Sequence, residues 1–396
     1  MPLLDVYQKT PSELADVHVQ RIVGFAGKLS DGTPTSRQLR DYLAVVETDV
    51  LTRYAGECLD AKFDGNGFTL QDIVNTMGQR LGFEVTFGRY RGAQGQLGFD
   101  GLWIPPGGKA MIVEVKTTDA YRIDLEVIAG YRRSLARDGR MAEDNSSMLI
   151  VVGREDTGDL EAQIRGSRYA WDMRLISVDA LARLVKVKED LEDPGVVDRI
   201  CGILTPQEFT RVDSIIDLVF ATAEEVGEER GPEPADDSPV AEKSELRFRE
   251  ACIRRVEPHI GQRLVKRSRS LYATADGSTV VVCAVSRRYE SAGGAVSYFF
   301  SFHSHQKETL EKAQRGYVGF GCGSDELVVL IPFERFDAWL QDVNPTERQD
   351  GKLMWNMTVD LEDGRPALRR RKGLGQIPLG EYLVGSQPAE TGGPTG

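Results

Sequence analysis

The chain has 396 residues, 41% of them hydrophobic and 28% charged, with a formal net charge of -12. That length exceeds what one core usually serves and predicts two domains joined by a linker; the acidic balance argues against a protein that coats nucleic acid over its whole surface. No apolar run approaches the roughly 18 residues of a membrane span, the N-terminal MPLLDVYQKTPSELADVH lacks a signal-peptide pattern, and five dispersed cysteines argue against a disulfide framework or zinc knuckle, so a cytoplasmic, membrane-free setting is expected.

In chain order, QLRDYLAVVETDVLTRYAGECLDAKF reads as helix, with Leu39, Tyr42, Leu43 and Val46 spaced by three and four. FTLQDIVNTMGQRLG repeats the pattern through Leu70, Ile73, Val74, Met77 and Leu81, and Gly82 ends it. The strand FEVTFGRY, the loop RGAQGQ and the strand LGFDGLWI follow, then AMIVEVKTT, a helix RIDLEVIAGYRRSLARD, and the apolar strand SMLIVVG. TGDLEAQIRGSRYAWD reads as helix, MRLISV as strand, and Asp179 to Lys188 as helix. Three meandering strands followed by alternating helix and strand predict an α/β sandwich around a mixed sheet.

The segment GFDGLWIPPGGKAMIVEVKTT places charges within apolar strands, which is costly unless they are paired or ligated. Strand alternation puts Ile112, Glu114 and Lys116 on one face and Val113 and Val115 on the other, the core face. A tight turn over Pro105 to Gly108 pairs Ile104 with Lys109 and sets Asp100 opposite Val113; one extra residue in the turn sets it opposite Glu114. In the second register the two carboxylates can share one cation, with Lys116 beside them. Mg2+ prefers hard oxygen ligands and keeps several waters, so Asp100, Glu114 and the Val115 carbonyl suffice as protein ligands, with Mn2+ as a substitute. That chemistry suits phosphodiester hydrolysis, in which Lys116 orients the nucleophile or stabilises developing charge. The bland alternative is a structural Asp–Lys or Glu–Lys pair beside a hairpin.

Phe99-Asp100 and Glu114-Val115-Lys116, with helix 69–81 before them and helix 121–137 after, resemble the PD-(D/E)XK nuclease superfamily over residues 35 to 190. The resemblance implies a restriction-endonuclease-like fold and a Mg2+-dependent nuclease, with Asp100 and Glu114 as metal ligands and Lys116 as the catalytic lysine. Phe99 stands where the motif has proline. Many members carry a glutamate on the first helix; here the turn reads Leu70-Gln71-Asp72. With the apolar face centred on Ile73, Val74 and Met77, Gln71 lies at its border beside the site and Asp72 on the far side, while Glu57 is the alternative acid. The exonuclease-type Q-x-x-x-Y pattern is not evident in LEVIAGYRR, which favours an endonuclease of restriction or phage-defence type.

Candidate nucleic-acid contacts are Arg89, Tyr90 and Arg91 in GRYRG and Arg165 and Arg168 in QIRGSRYAWD, against the bland reading of solvated turns; Arg132 and Arg133 read as a solvated helix face. Residues 1–220 form the expected nuclease domain with an N-terminal helical segment, and 221–245 an acidic flexible linker. Residues 246–385 read as a smaller α+β target-recognition domain, and 386–396 as a disordered tail. In the second domain Tyr298, Phe299, Phe300 and Phe302 read as mostly core, and His303 and His305 share a strand face without a third metal ligand. Basic runs at Arg263, Lys266, Arg267 and Arg269, and at Arg369, Arg370, Arg371 and Lys372, are candidates for backbone contacts. DNA is the expected partner, with a second copy of the chain or a defence protein beside it. The competing readings are a nuclease of RNA or of recombination and repair intermediates, and a non-catalytic adaptor that keeps the fold for binding.

Overall fold

The computed structural model describes residues 3–10, 13–14, 16–91, 98–117, 123–153, 158–191, 193, 195–206, 239–290, 294–343, 345–347, 353–362, 364–371 and 373–385. The chain divides into two compact units, 1–224 and 225–396. The boundary falls within the predicted linker, of which 221–238 lie outside the described residues, as does the predicted tail. Its last part is not linker: residues 239–245 open a helix. Among the described residues no helix is long and apolar enough to cross a membrane.

The first unit begins with helices α1 (Leu3–Lys9), α2 (Val19–Ala26), α3 (Pro34–Val45), α4 (Thr48–Asp60) and α5 (Asn66–Arg80). The predicted single helix over residues 38 to 63 is two, because Val46 and Glu47 are extended, with ψ of 154° and 150°. No glycine or proline marks that break; tertiary packing makes it, and the Tyr42 and Tyr54 hydroxyls of the two helices meet at 2.8 Å. Helix α5 is buried nearly all round and ends where Gly82 turns left-handed at φ 94°.

The mixed sheet follows in sequence order: β1 (Glu84–Phe87), β2 (Gly101–Ile104), β3 (Ala110–Lys116), β4 (Ser146–Val152) and β5 (Met173–Ser177). The β1–β2 and β2–β3 steps are antiparallel, and the β3–β4 and β4–β5 steps are parallel. Parallel steps need crossovers; α6 (Leu125–Arg137) and α7 (Gly158–Arg165) supply them, and α8 (Val178–Asp190) and α9 (Val196–Leu204) close the unit. Asp124 caps α6 by accepting from the amides of Glu126 and Val127.

Both faces of β3 are packed, not one. Met111 and Val113 join Ile73, Met77 and Val151 on the α5 side, while Ile112 joins Ile128, Leu135, Ile150 and Ile164 on the side of α6 and α7. The open ground for charge is therefore confined to the C-terminal end of the strand, at Glu114 and Lys116.

The hairpin register is also decided. Gly101 faces Val113 and Trp103 faces Met111, so continuing the ladder sets Asp100 opposite Glu114. The tight-turn register is excluded: residues 105–109 form the connection, in which Gly107 takes φ 66° and Gly108 donates to the Pro105 carbonyl.

The second unit opens with α10 (Pro239–Ile260). One sheet runs in the order β12 (Val328–Pro332), β11 (Arg315–Cys322), β8 (Thr279–Ser286), β7 (Leu271–Ala273), β6 (Val265–Lys266). The other runs β16 (Gln376–Pro378), β15 (Arg365–Arg369), β14 (Leu353–Glu362), β10 (Val296–His303), β9 (Tyr289–Glu290), with β13 (Pro345–Glu347) also on β14. Helices α11 (Ser304–Lys312) and α12 (Phe333–Leu340) complete the unit. Tyr298, Phe300 and Phe302 enter a core with Phe320, Phe336 and Met357, whereas Phe299 is exposed. His303 ends β10 and His305 lies in α11, so they do not share a strand face; their rings stack instead, with centroids 5.5 Å apart.

Candidate active site

The end of β3 presents three charges in a small space. Asp100 immediately precedes β2, and its Oδ2 accepts from the Val115 amide at 2.7 Å. Lys116 Nζ donates to Glu114 Oε1 at 2.6 Å. Glu114 Oε2 is buried and has no hydrogen-bond partner. A buried carboxylate oxygen left in that condition costs free energy that a cation would recover.

The electrostatics agree. Burial, and next the Glu114 charge, push the Asp100 carboxyl up to about 7, against the pull of the Val115 amide and Lys116. Burial works against the Lys116 ammonium, but the Glu114 and Asp100 carboxylates outweigh it and hold its pKa above the ordinary value. Two acids thus crowd one site with a single ammonium between them. The donor set is hard oxygen, which suits Mg2+ or Mn2+ and not a thiolate-seeking metal. Among the described residues no group of three or more His, Cys, Asp or Glu gathers, so a metal held here would have two carboxylates as side-chain ligands, with backbone oxygen and water to complete its shell. The residues present fit a hydrated Mg2+.

Gln71 lies beside the site as expected, but behind it. Its Nε2 donates to the Asp100 carbonyl at 3.0 Å and to the Arg89 carbonyl at 3.4 Å, and Asn75 Nδ2 donates to the same Asp100 carbonyl at 2.9 Å. Gln71 therefore positions the aspartate through its backbone and does not face the carboxylates. The sequence pattern does not single out Asn75; its one available signal is its position one helical turn after Gln71. Its Oδ1 also accepts from the Trp103 indole at 2.9 Å, tying α5 to β2.

Asp72 is fully buried, not on a far solvent side. Arg40 Nε meets it at 3.0 Å and the Tyr90 hydroxyl donates to its other oxygen. Glu57 is committed elsewhere: it accepts from the Val19 amide at 2.6 Å and pairs with Arg53 at 2.9 Å. Neither acid completes the site. A neighbour the sequence did not single out is Tyr131 of α6, whose phenol is raised in pKa by burial and next by the Glu114 and Asp100 charges.

The predicted nucleic-acid contacts vary: Tyr90 is buried, its hydroxyl spent on Asp72, so it does not face a phosphate. Arg89 is exposed and 3.8 Å from Asp31, and Arg91 lies 5.8 Å from the Phe68 ring centroid. The amide of Gly88, just before this segment, donates to the Asp100 carbonyl, so Arg89 starts close to the site. Arg165 pairs with Glu161, and Arg168 with Glu126. Arg369 is held by Asp360 through two bonds of 2.9 and 2.6 Å, Arg370 by Asp342, and Arg371 by the Val343 carbonyl. Lys372 lies outside the described residues. Arg132 is no solvated residue: it binds Asp172, Ser146 and the Glu143 carbonyl, clamping α6 to the start of β4.

No protein-family model and no curated protein matches the chain.

Proposed function

We propose that the first unit is a restriction-endonuclease-like nuclease core and that the chain is a Mg2+-dependent endodeoxyribonuclease of restriction or phage-defence type. One observation carries the reading: Asp100 and Glu114 are opposed at the end of the hairpin, Lys116 engages one Glu114 oxygen, and the other is buried without a partner. An antiparallel meander followed by two parallel steps, with α5 before it, supports the same reading at the level of fold.

Asp100, Glu114 and the Val115 carbonyl would hold the metal. When bound, Mg2+ supplies an activated water at neutral pH and neutralises charge on the phosphate. The chain's own contribution is positioning. The Val115 amide fixes one Asp100 oxygen, while Gln71 and Asn75 fix the Asp100 backbone from the other side. Lys116 keeps its proton in this acidic setting and offers a fixed positive charge where the scissile phosphate becomes more anionic. Exposed Arg89 would meet the phosphate backbone of the strand. The second unit would select the target, alone, with a second copy of the chain, or with a defence protein.

The test is incubation of the full chain with plasmid, modified phage DNA and RNA, each with and without Mg2+. Metal-dependent cleavage of DNA supports the reading. Cleavage of RNA alone would move the activity to the RNA-directed alternative, and binding without cleavage to the adaptor alternative.

A further inference from the structure

Phe299 breaks the pattern of its strand environment. Along β10 the side chains alternate, with Val296, Tyr298, Phe300 and Phe302 buried and Ser297, Phe299, Ser301 and His303 on the outer face. Outer positions of an exposed sheet are ordinarily polar, and their neighbours here obey: Thr358 faces Phe299 and Asn356 faces Ser301 on β14. Phe299 is nonetheless 50% exposed. Tyr289 packs edge-on against it, with ring centroids 5.0 Å apart, and the Arg287 guanidinium lies 4.8 Å from the Tyr289 ring centroid.

The charges around these rings are unevenly matched. On the outer face Asp360 is held by Arg369 through two bonds, and Glu362 stands opposite Arg365. Arg287 is engaged in no ion pair among the described residues. The surface thus combines an edge-to-face pair of aromatic rings, a guanidinium with no ion-pair partner among the described residues, and neutral hydroxyl and amide groups from Ser301, Asn356 and Thr358. The exposed Phe299 ring offers π-stacking to a base, and Arg287 a positive charge to its phosphate. A paired duplex keeps its bases stacked on one another and offers no free base face.

We propose that this outer face, centred on Phe299, is a binding platform for an unpaired nucleic-acid strand, DNA or RNA. The proposal takes from the nuclease reading only that nucleic acid is the substrate class. It gives the second unit its task, which is to hold a strand that is frayed, displaced or single. A protein that binds such a strand and does not cut leaves the platform standing and overturns the nuclease.

The experiment uses the full chain in EDTA, so that binding is read without cleavage, with labelled dT20, rU20 and a 20-base-pair duplex followed by fluorescence anisotropy. The wild type is expected to bind dT20 or rU20 more tightly than the duplex, and the preferred strand identifies the source. Phe299→Ala is expected to weaken that binding by roughly 5- to 100-fold, the range of one lost base stack. Phe299→Tyr is expected to keep it and Phe299→Leu to lose it, because a stack needs a ring and not merely an apolar group. Phe25→Ala, which removes a 57%-exposed aromatic of the first unit, is the control and is expected to bind as wild type. Thermal melting of each variant checks folding; a surface change here should leave it unaltered. Equal strand affinity for wild type and Phe299→Ala overturns the proposal. So does absence of strand binding together with self-association that Phe299→Ala abolishes, which would assign the face to a second copy of the chain.

Discussion

Lys116 Nζ lies 2.6 Å from Glu114 Oε1, while Glu114 Oε2 is buried with no partner, so the lysine satisfies half of the carboxylate and leaves half for a ligand. If Lys116 stabilises developing charge, Lys116→Ala should retain Mg2+ binding, read by calorimetry, yet turn over about 10²–10³ times more slowly. Full activity in the variant would remove the lysine from the mechanism.

Gln71 and Asn75 converge on a single acceptor, the Asp100 carbonyl. Gln71→Ala should lower the cleavage rate by about 10- to 100-fold, the usual range for groups that orient a metal ligand. The loss should be shared between metal affinity and turnover, which titration of the rate with Mg2+ separates. Glu57→Gln should leave the rate unchanged, since Glu57 serves the start of α2. A dead but folded Glu57→Gln protein would contradict this geometry.

What was legible in the sequence was whatever depends on short-range pattern. Alternating charge in the apolar run 110–116 revealed Glu114 and Lys116, and helical spacing found most of α5. The register of the hairpin was open because it turns on one residue of a Pro-Pro-Gly-Gly-Lys connection, where Gly107 adopts a positive φ and the turn lengthens. Asp72 was misplaced for a different reason. Its partners Arg40 and Tyr90 are 32 and 18 residues away and reach α5 only in the folded unit, so amphipathicity alone assigns it to solvent. The role of Arg132 is hidden from the sequence in the same way, since its partners arrive from β4 and the segment before β5.

Gly78 supplies a stability test that reverses the usual sign. Glycine to alanine within a helix ordinarily stabilises by about 1 kcal/mol. A Cβ here would sit 2.6 Å from the fully buried Trp103 ring. Gly78→Ala should therefore destabilise by roughly 1–3 kcal/mol in urea unfolding, as overpacking does. Because Trp103 lies on β2, three residues beyond Asp100, activity should fall with stability.

Asp72 predicts a pH dependence. Burial raises its carboxyl to about 6, against the pull of Arg40 and Tyr90. A folded pKa above the unfolded value means that the folded state holds the proton more tightly, so stability declines as pH rises from about 4 through about 6. The full effect of this group is on the order of 3 kcal/mol. Urea unfolding at pH 4 and pH 7 should show that decline in the wild type and a shallower one in Asp72→Asn, and equal slopes would contradict the assignment.

The central claim is that the opposed Asp100 and Glu114 carboxylates hold the metal that drives cleavage. The most direct measurement compares relaxation of supercoiled plasmid by the wild type and by the Asp100→Asn, Glu114→Gln double variant, each folded, in Mg2+ and in EDTA. The predicted result is cleavage by the wild type in Mg2+ alone and none by the double variant. Cleavage that persists in EDTA, or in the double variant at the wild-type rate, would contradict it.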